Sequence, residues 1–168
     1  MGIKSKLKHT ISFLLHGEVK PIYANIHYLA PNEHLKGKKI VITGGGRGLG
    51  FAMAKKFVSE GAKVLIAGRN EQTLKQSASE INCLYLPLDV QDTTSFKEFI
   101  DKSDQMLGGI NCLVNNAGIS LHEEGFLAVS PKLFDSQVDT NLKGCFFLTQ
   151  AFIEKCTETH LEGTKNIL

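Results

Sequence analysis

The residues of this sequence best suited to chemistry are glycines, arginines and side-chain amides rather than nucleophiles. Thr43-Gly44-x-x-x-Gly48-x-Gly50 stands directly after the apolar run Ile40, Val41 and Ile42. Glycines in that pattern remove side chains at a sharp turn, where backbone approaches a bulky phosphate, and where the next helix packs on the strand. A helix starting at Gly48 turns its first amides and the positive end of its dipole to the loop, which suits an anion, a pyrophosphate above all. The spacing is not G-x-G-x-x-G, and without Gly-Lys-Ser/Thr it is not a P-loop either. Taken alone, it also fits a plain tight turn in an ordinary α/β protein.

Gly68 and Arg69 end the next apolar run, where a dinucleotide-binding domain meets the adenosine ribose. An Asp or Glu there would accept from the 2′-hydroxyl of NAD, whereas Gly68 with Arg69 leaves room and positive charge for a 2′-phosphate. Arg47, in the glycine loop, could approach the same phosphate, so the pair favours NADP(H), with NAD(H) possible. The alternative is a solvated Arg69 beside Asn70, itself the cap of a helix. Asp89 ends a third run and reads equally as an acceptor for the adenine amino group or as the cap of a helix beginning near residues 92–94. Asn115, Asn116, Ala117 and Gly118 follow a fourth run, and their small side chains and amides suit a flat ring close to backbone.

These positions require alternating strands and helices. The spacing predicts strands at 40–42, 63–67, 83–88 and 110–114, and helices at 48–60, 71–80 and 93–107, the last turning Phe96, Phe99, Ile100 and Met106 to the sheet. Gly61, Gly108 and Gly109 are helix stops. Ser130 and Pro131 start a long helix to about residue 157, apolar nearly all round from 142 to 153 and hence buried on more than one side. Asn141 lies within it, polar among apolar neighbours.

Composition sets the wider limits. The chain has 168 residues, 42% hydrophobic and 21% charged, with a net charge of +2 and charges of both signs interspersed. That is an ordinary single globular domain with no basic face for nucleic acid. The four cysteines are widely spaced with no C-x-x-C pair, and no metal site is read from them or from the scattered histidines. Cysteines of this kind, with no run long enough to span a membrane and no full signal peptide, point to a cytoplasmic protein. Residues 1–36 form a separate basic amphipathic extension, with Ile3, Leu7, Ile11, Leu14 and Leu15 on one helical face. It is expected to dock on protein or stay partly disordered, contact with a membrane surface being the other possibility.

The glycine loop, Asp89, the Asn115–Gly118 turn and Asn141 occur in the order and spacing of the classical short-chain dehydrogenases/reductases, which this chain resembles from about residue 37 to 168. The resemblance implies an α/β fold, a Rossmann-type doubly wound parallel sheet in three α/β/α layers, with a nicotinamide dinucleotide across its carboxyl edge. It also implies roles. Gly44, Gly45, Gly46, Arg47, Gly48 and Leu49 would hold the pyrophosphate, Arg69 would select NADP, Asp89 and Val90 would hold adenine, and Asn116, Ala117 and Gly118 the nicotinamide-side ribose. Asn141 would help hold a water in the proton relay that serves the active-site lysine. The substrate implied is a small carbonyl compound or secondary alcohol, and the assembly a homo-oligomer.

The family's remaining catalytic groups, a Ser after the fifth strand and a Tyr-x-x-x-Lys, have no counterpart. Tyr23, Tyr28 and Tyr85 are the only tyrosines, and none has lysine four residues on. Residues 164–168 look like the start of the fifth strand. The chain therefore reads as the incomplete cofactor-binding part, 37–168, of a longer oxidoreductase, with little chemistry expected of it alone. The edge of the fourth strand and the apolar faces of the long helix should be left uncovered.

Overall fold

A computed structural model describes residues 32–120 and 125–162, with side chains to residue 158. Strands β1 (Lys39–Thr43), β2 (Lys63–Gly68), β3 (Leu84–Pro87) and β4 (Cys112–Val114) form one parallel sheet in the order β3-β2-β1-β4. In β1, Ile40 pairs with Val64 on one side and Cys112 on the other, so the strand carrying the glycine loop is internal.

Successive side chains of a strand point to opposite faces, and here both faces are apolar. Ile40, Ile42, Val64 and Ile66 meet Ala54 of helix α1 (Gly48–Ser59) and Leu74, Ala78 and Ile81 of helix α2 (Glu71–Ile81). Val41, Leu65 and Ala67 meet Phe96, Phe99, Ile100 and Leu107 of helix α3 (Phe96–Leu107) and Leu148 of the last helix. The result is a three-layer α/β/α Rossmann arrangement. Leu148 is wholly buried. A side chain of that size contributes about 2 kcal/mol on burial, enough to seat its helix on the sheet.

The expected long helix is three consecutive pieces: α4 (Pro131–Val138), a π-helical segment (Asp139–Gly144) and α5 (Cys145–Glu162). Its start is as expected, with Ser130 accepting from the Leu133 amide and Pro131 in the first turn. The π segment packs closely on its neighbours. A Cβ on Gly144 would lie 2.1 Å from the Val90 carbonyl oxygen, so the helix passes against that loop as bare backbone.

Two further expectations are corrected. Met106 is 44% exposed, because the buried face of α3 runs through Phe96, Phe99, Ile100, Ser103 and Leu107, one position out of phase with it. Strands β3 and β4 begin at Leu84 and Cys112, later than the apolar runs that announce them. The apolar faces of the 142–153 stretch are left uncovered, as expected. Leu148 is covered, while Leu142, Phe146, Phe147 and Ile153 are exposed. Among the described residues β4 pairs with β1 alone. The amphipathic extension before residue 32 and the expected fifth strand at 164–168 lie outside the described residues.

Candidate functional site

The carboxyl ends of all four strands open on one cleft of about 550 Å³. Thr43, Gly44, Gly46, Arg47, Gly48 and Leu49 line it from β1 and the loop, Gly68 and Arg69 from β2, Asp89 and Val90 from beyond β3, and Asn116, Ala117 and Gly118 from beyond β4. It lies where the chain leaves β1 in one direction for β2 and crosses back to β4, the place where open α/β sheets bind ligands.

The glycines earn their positions by different means. Gly44 and Gly48 have φ of +64° and +57°, left-handed values that a side chain opposes. Gly50 is held by space: a Cβ there would lie 2.3 Å from the Gly44 carbonyl oxygen and 2.5 Å from Asn116 Nδ2. Gly45 does not line the cleft. Its amide donates to the Ala67 carbonyl, and a Cβ would press on Ile66 at 2.7 Å, so it docks the loop on β2.

Side chains at the ends of β1 and β4 lock the loop from the other side. The Asn116 amide Nδ2 donates to the carbonyls of Thr43 and Gly44, at 3.0 and 3.2 Å. The buried Thr43 Oγ1 accepts from the backbone amides of Asn116 and Ala117, each at 3.0 Å. Asn115 donates to Thr149 Oγ1 at 2.9 Å, tying the same turn to α5. Asn116 thus acts first on the protein itself.

The amino end of α1 fits an anion. Arg47, its cap residue, makes no side-chain cap, and the first turn carries no acidic residue. By contrast α2 is capped by Asn70, which accepts from the Thr73 amide at 2.8 Å, and has Glu71 in its first turn. The amides of α1 and its dipole are therefore free for a ligand. The Arg47 and Arg69 side chains are exposed and unpaired among the described residues, and both line the cleft. These features fit a dinucleotide phosphate.

The cap near residues 92–94 is Asp92, which accepts from the Thr94 amide, and not Asp89. Asp89 accepts from the Gln91 amide at 3.0 Å and stays exposed at the cleft wall. Gln91 Nε2 reaches Thr140 Oγ1 at 2.7 Å, joining that wall to the π segment. Asn141, one residue on, does not line the cleft. Its amide is taken up by Ile119, donating to the carbonyl at 2.8 Å and accepting from the amide at 2.9 Å.

Thr43, Thr73 and Thr140 also line the cleft, beyond the site residues read from the sequence. Thr43 did leave a signal, as the polar end of an apolar strand, but Thr73 and Thr140 sit in helices with no local mark. Among the described residues no group of three or more His, Cys, Asp or Glu could hold a metal ion, and no helix is long and apolar enough to cross a membrane. Burial pushes the Cys83 thiol up to about 11, which removes it as a nucleophile at neutral pH.

The sequence profile of short chain dehydrogenases matches residues 38–163. The chain belongs to that family. The chain is 35% identical over 124 residues to a 3alpha-hydroxysteroid dehydrogenase of Mediterraneibacter gnavus, covering 70% of this chain and 49% of that protein. It is 32% identical over 127 residues to an NADP-dependent (R)-specific alcohol dehydrogenase of Lentilactobacillus kefiri, covering 73% and 50%. Among solved structures, a 3-ketoacyl-(acyl-carrier-protein) reductase of Brucella melitensis complexed with NADH aligns with a TM-score of 0.71 at 32% identity, over 78% of this chain and 55% of that one. The chain thus spans about half the length of the curated relatives it matches.

Proposed function

We propose that this chain is the cofactor-binding part of an NADP(H)-dependent oxidoreductase that interconverts a small carbonyl compound and a secondary alcohol. The observation that carries the reading is the uncapped amino end of α1 opening into a cleft with two arginines that are unpaired among the described residues. The loop amides would hold the pyrophosphate, Arg69 with Arg47 the 2′-phosphate, Asp89 and Val90 the adenine, and the 116–118 turn the nicotinamide-side ribose. When bound, the nicotinamide supplies or takes the hydride. Asn141 would serve the reacting end indirectly, its side-chain amide fixing the chain beyond β4 through Ile119. The Lentilactobacillus relative named as NADP-dependent lends weight to the phosphate reading, and the NADH-bound reductase keeps NAD(H) as a second ligand.

A second reading, a module that binds a dinucleotide without turnover, is favoured by one observation: the cleft is lined by loop glycines, arginines and amide side chains, groups that hold a dinucleotide. Titration with NADPH and NADH by fluorescence, followed by an assay for NADPH consumption with a ketone, tests both. Tighter binding of NADPH supports the cofactor reading; no binding of either nucleotide rejects it. Consumption by this chain alone would reject the binding-only module.

A further inference from the structure

We propose that Ser77 is a positioning residue for the cofactor, setting the glycine loop through the carbonyl of Gly46; this rests on reading the cleft as the dinucleotide site. Ser77 Oγ donates to the Gly46 carbonyl at 2.8 Å across 31 residues of sequence. Its hydroxyl is spent on the loop rather than on its own helix.

The loop lies directly on α2. A Cβ on Gly46 would meet Leu74 Cδ2 at 3.2 Å and Thr73 Cγ2 at 3.5 Å. Helix α2 thus carries Arg69 and Asn70 just before its start and supports Arg47 through Gly46, making it the common base for both arginines. In a trans peptide the carbonyl and the following N–H point opposite ways. With the Gly46 carbonyl turned to Ser77, the Arg47 N–H points away from α2, and it has no acceptor among the described residues. Ser77 therefore fixes both an open backbone donor at the cleft and the root of the Arg47 side chain. Without the hydroxyl that peptide is free to rotate, and the 2′-phosphate end suffers most.

The test compares S77A and S77T with the natural chain for binding of NADPH and NADH. Alanine is the better helix former, so weaker binding by S77A with an unchanged thermal melt does not come from a broken helix. Loss of one neutral hydrogen bond corresponds to about fivefold in affinity. S77A should lose about that for NADPH and less for NADH, and S77T, keeping the hydroxyl, should restore it. Natural binding by S77A, or equal losses in S77A and S77T, would overturn the proposal while leaving the cofactor reading intact. No nucleotide binding by the natural chain would overturn both.

Discussion

The side-chain amide of Asn141 matches the backbone of Ile119 at both ends, donating to its carbonyl at 2.8 Å and accepting from its amide at 2.9 Å. This two-point bridge fixes the π segment against the chain leaving β4. Asn141→Ala should lower unfolding stability by roughly 1–2 kcal/mol, and Asn141→Asp by more, because a carboxylate would face the Ile119 carbonyl. Urea denaturation measures both. Unchanged midpoints would show that the bridge carries no load.

Gly50 and Gly48 should respond differently to alanine. At Gly48 nothing lies within 4 Å of a Cβ, so Gly48→Ala meets only its φ of +57° and should cost about 1–2 kcal/mol. At Gly50 the Cβ would strike the Gly44 carbonyl at 2.3 Å, displacing the loop itself. Gly50→Ala should abolish dinucleotide binding, as read by NADPH titration, where Gly48→Ala retains a measurable share.

Ser103 is fully buried, and its Oγ has no hydrogen-bond partner among the described residues. Ser103→Ala removes an orphan hydroxyl with little change of volume and should raise stability by about 1 kcal/mol. Thermal melting checks the sign. A lower melting temperature would mean that the hydroxyl does have a partner in solution.

Glu60 joins the segment before β1 to the end of α1. Its Oε2 lies 2.6 Å from His34 Nδ1, its Oε1 lies 2.5 Å from Lys56 Nζ, and its carbonyl accepts from the Leu35 amide. The Lys56 and His34 hydrogen bonds lower the carboxyl from 4.5 to about 2. A depressed carboxyl adds stability that is full above the unfolded value and is lost as pH falls through the folded one. Unfolding stability should therefore decline between about pH 4.5 and 2, and Glu60→Gln should flatten that slope. An unchanged slope in the variant would remove Glu60 as its source.

Much of this fold was legible because its signals are local. Ile40, Val41 and Ile42 announce a strand buried on both faces, Asn70 and Ser130 cap the helices that follow them, and Gly108 ends α3 in a left-handed conformation. What escaped was tertiary. Within the π segment Asn141 pairs with Ile119 and Gly144 meets Val90, contacts between stretches far apart in sequence. Asp89 does not cap the helix near 92–94 because the loop turns its carboxylate to the Gln91 amide and leaves Asp92 to accept from Thr94, a geometry the sequence does not display. Met106 and Leu107 are both apolar neighbours, and only the angle at which α3 sits on the sheet decides which is buried. Ser77 carries no pattern at all, since its partner is a backbone carbonyl in a different loop.

The most direct measurement of the central claim is the affinity of Arg69→Asp for NADPH and NADH. Arg69 lines the cleft beyond β2, exposed and unpaired among the described residues. A 2′-phosphate loses an attractive partner and gains a repulsive one in this variant, whereas a 2′-hydroxyl gains an acceptor. NADPH binding should fall by about 100-fold or more, and NADH binding should hold or improve. Equal changes for the two nucleotides would contradict the assignment of Arg69 to the 2′-phosphate.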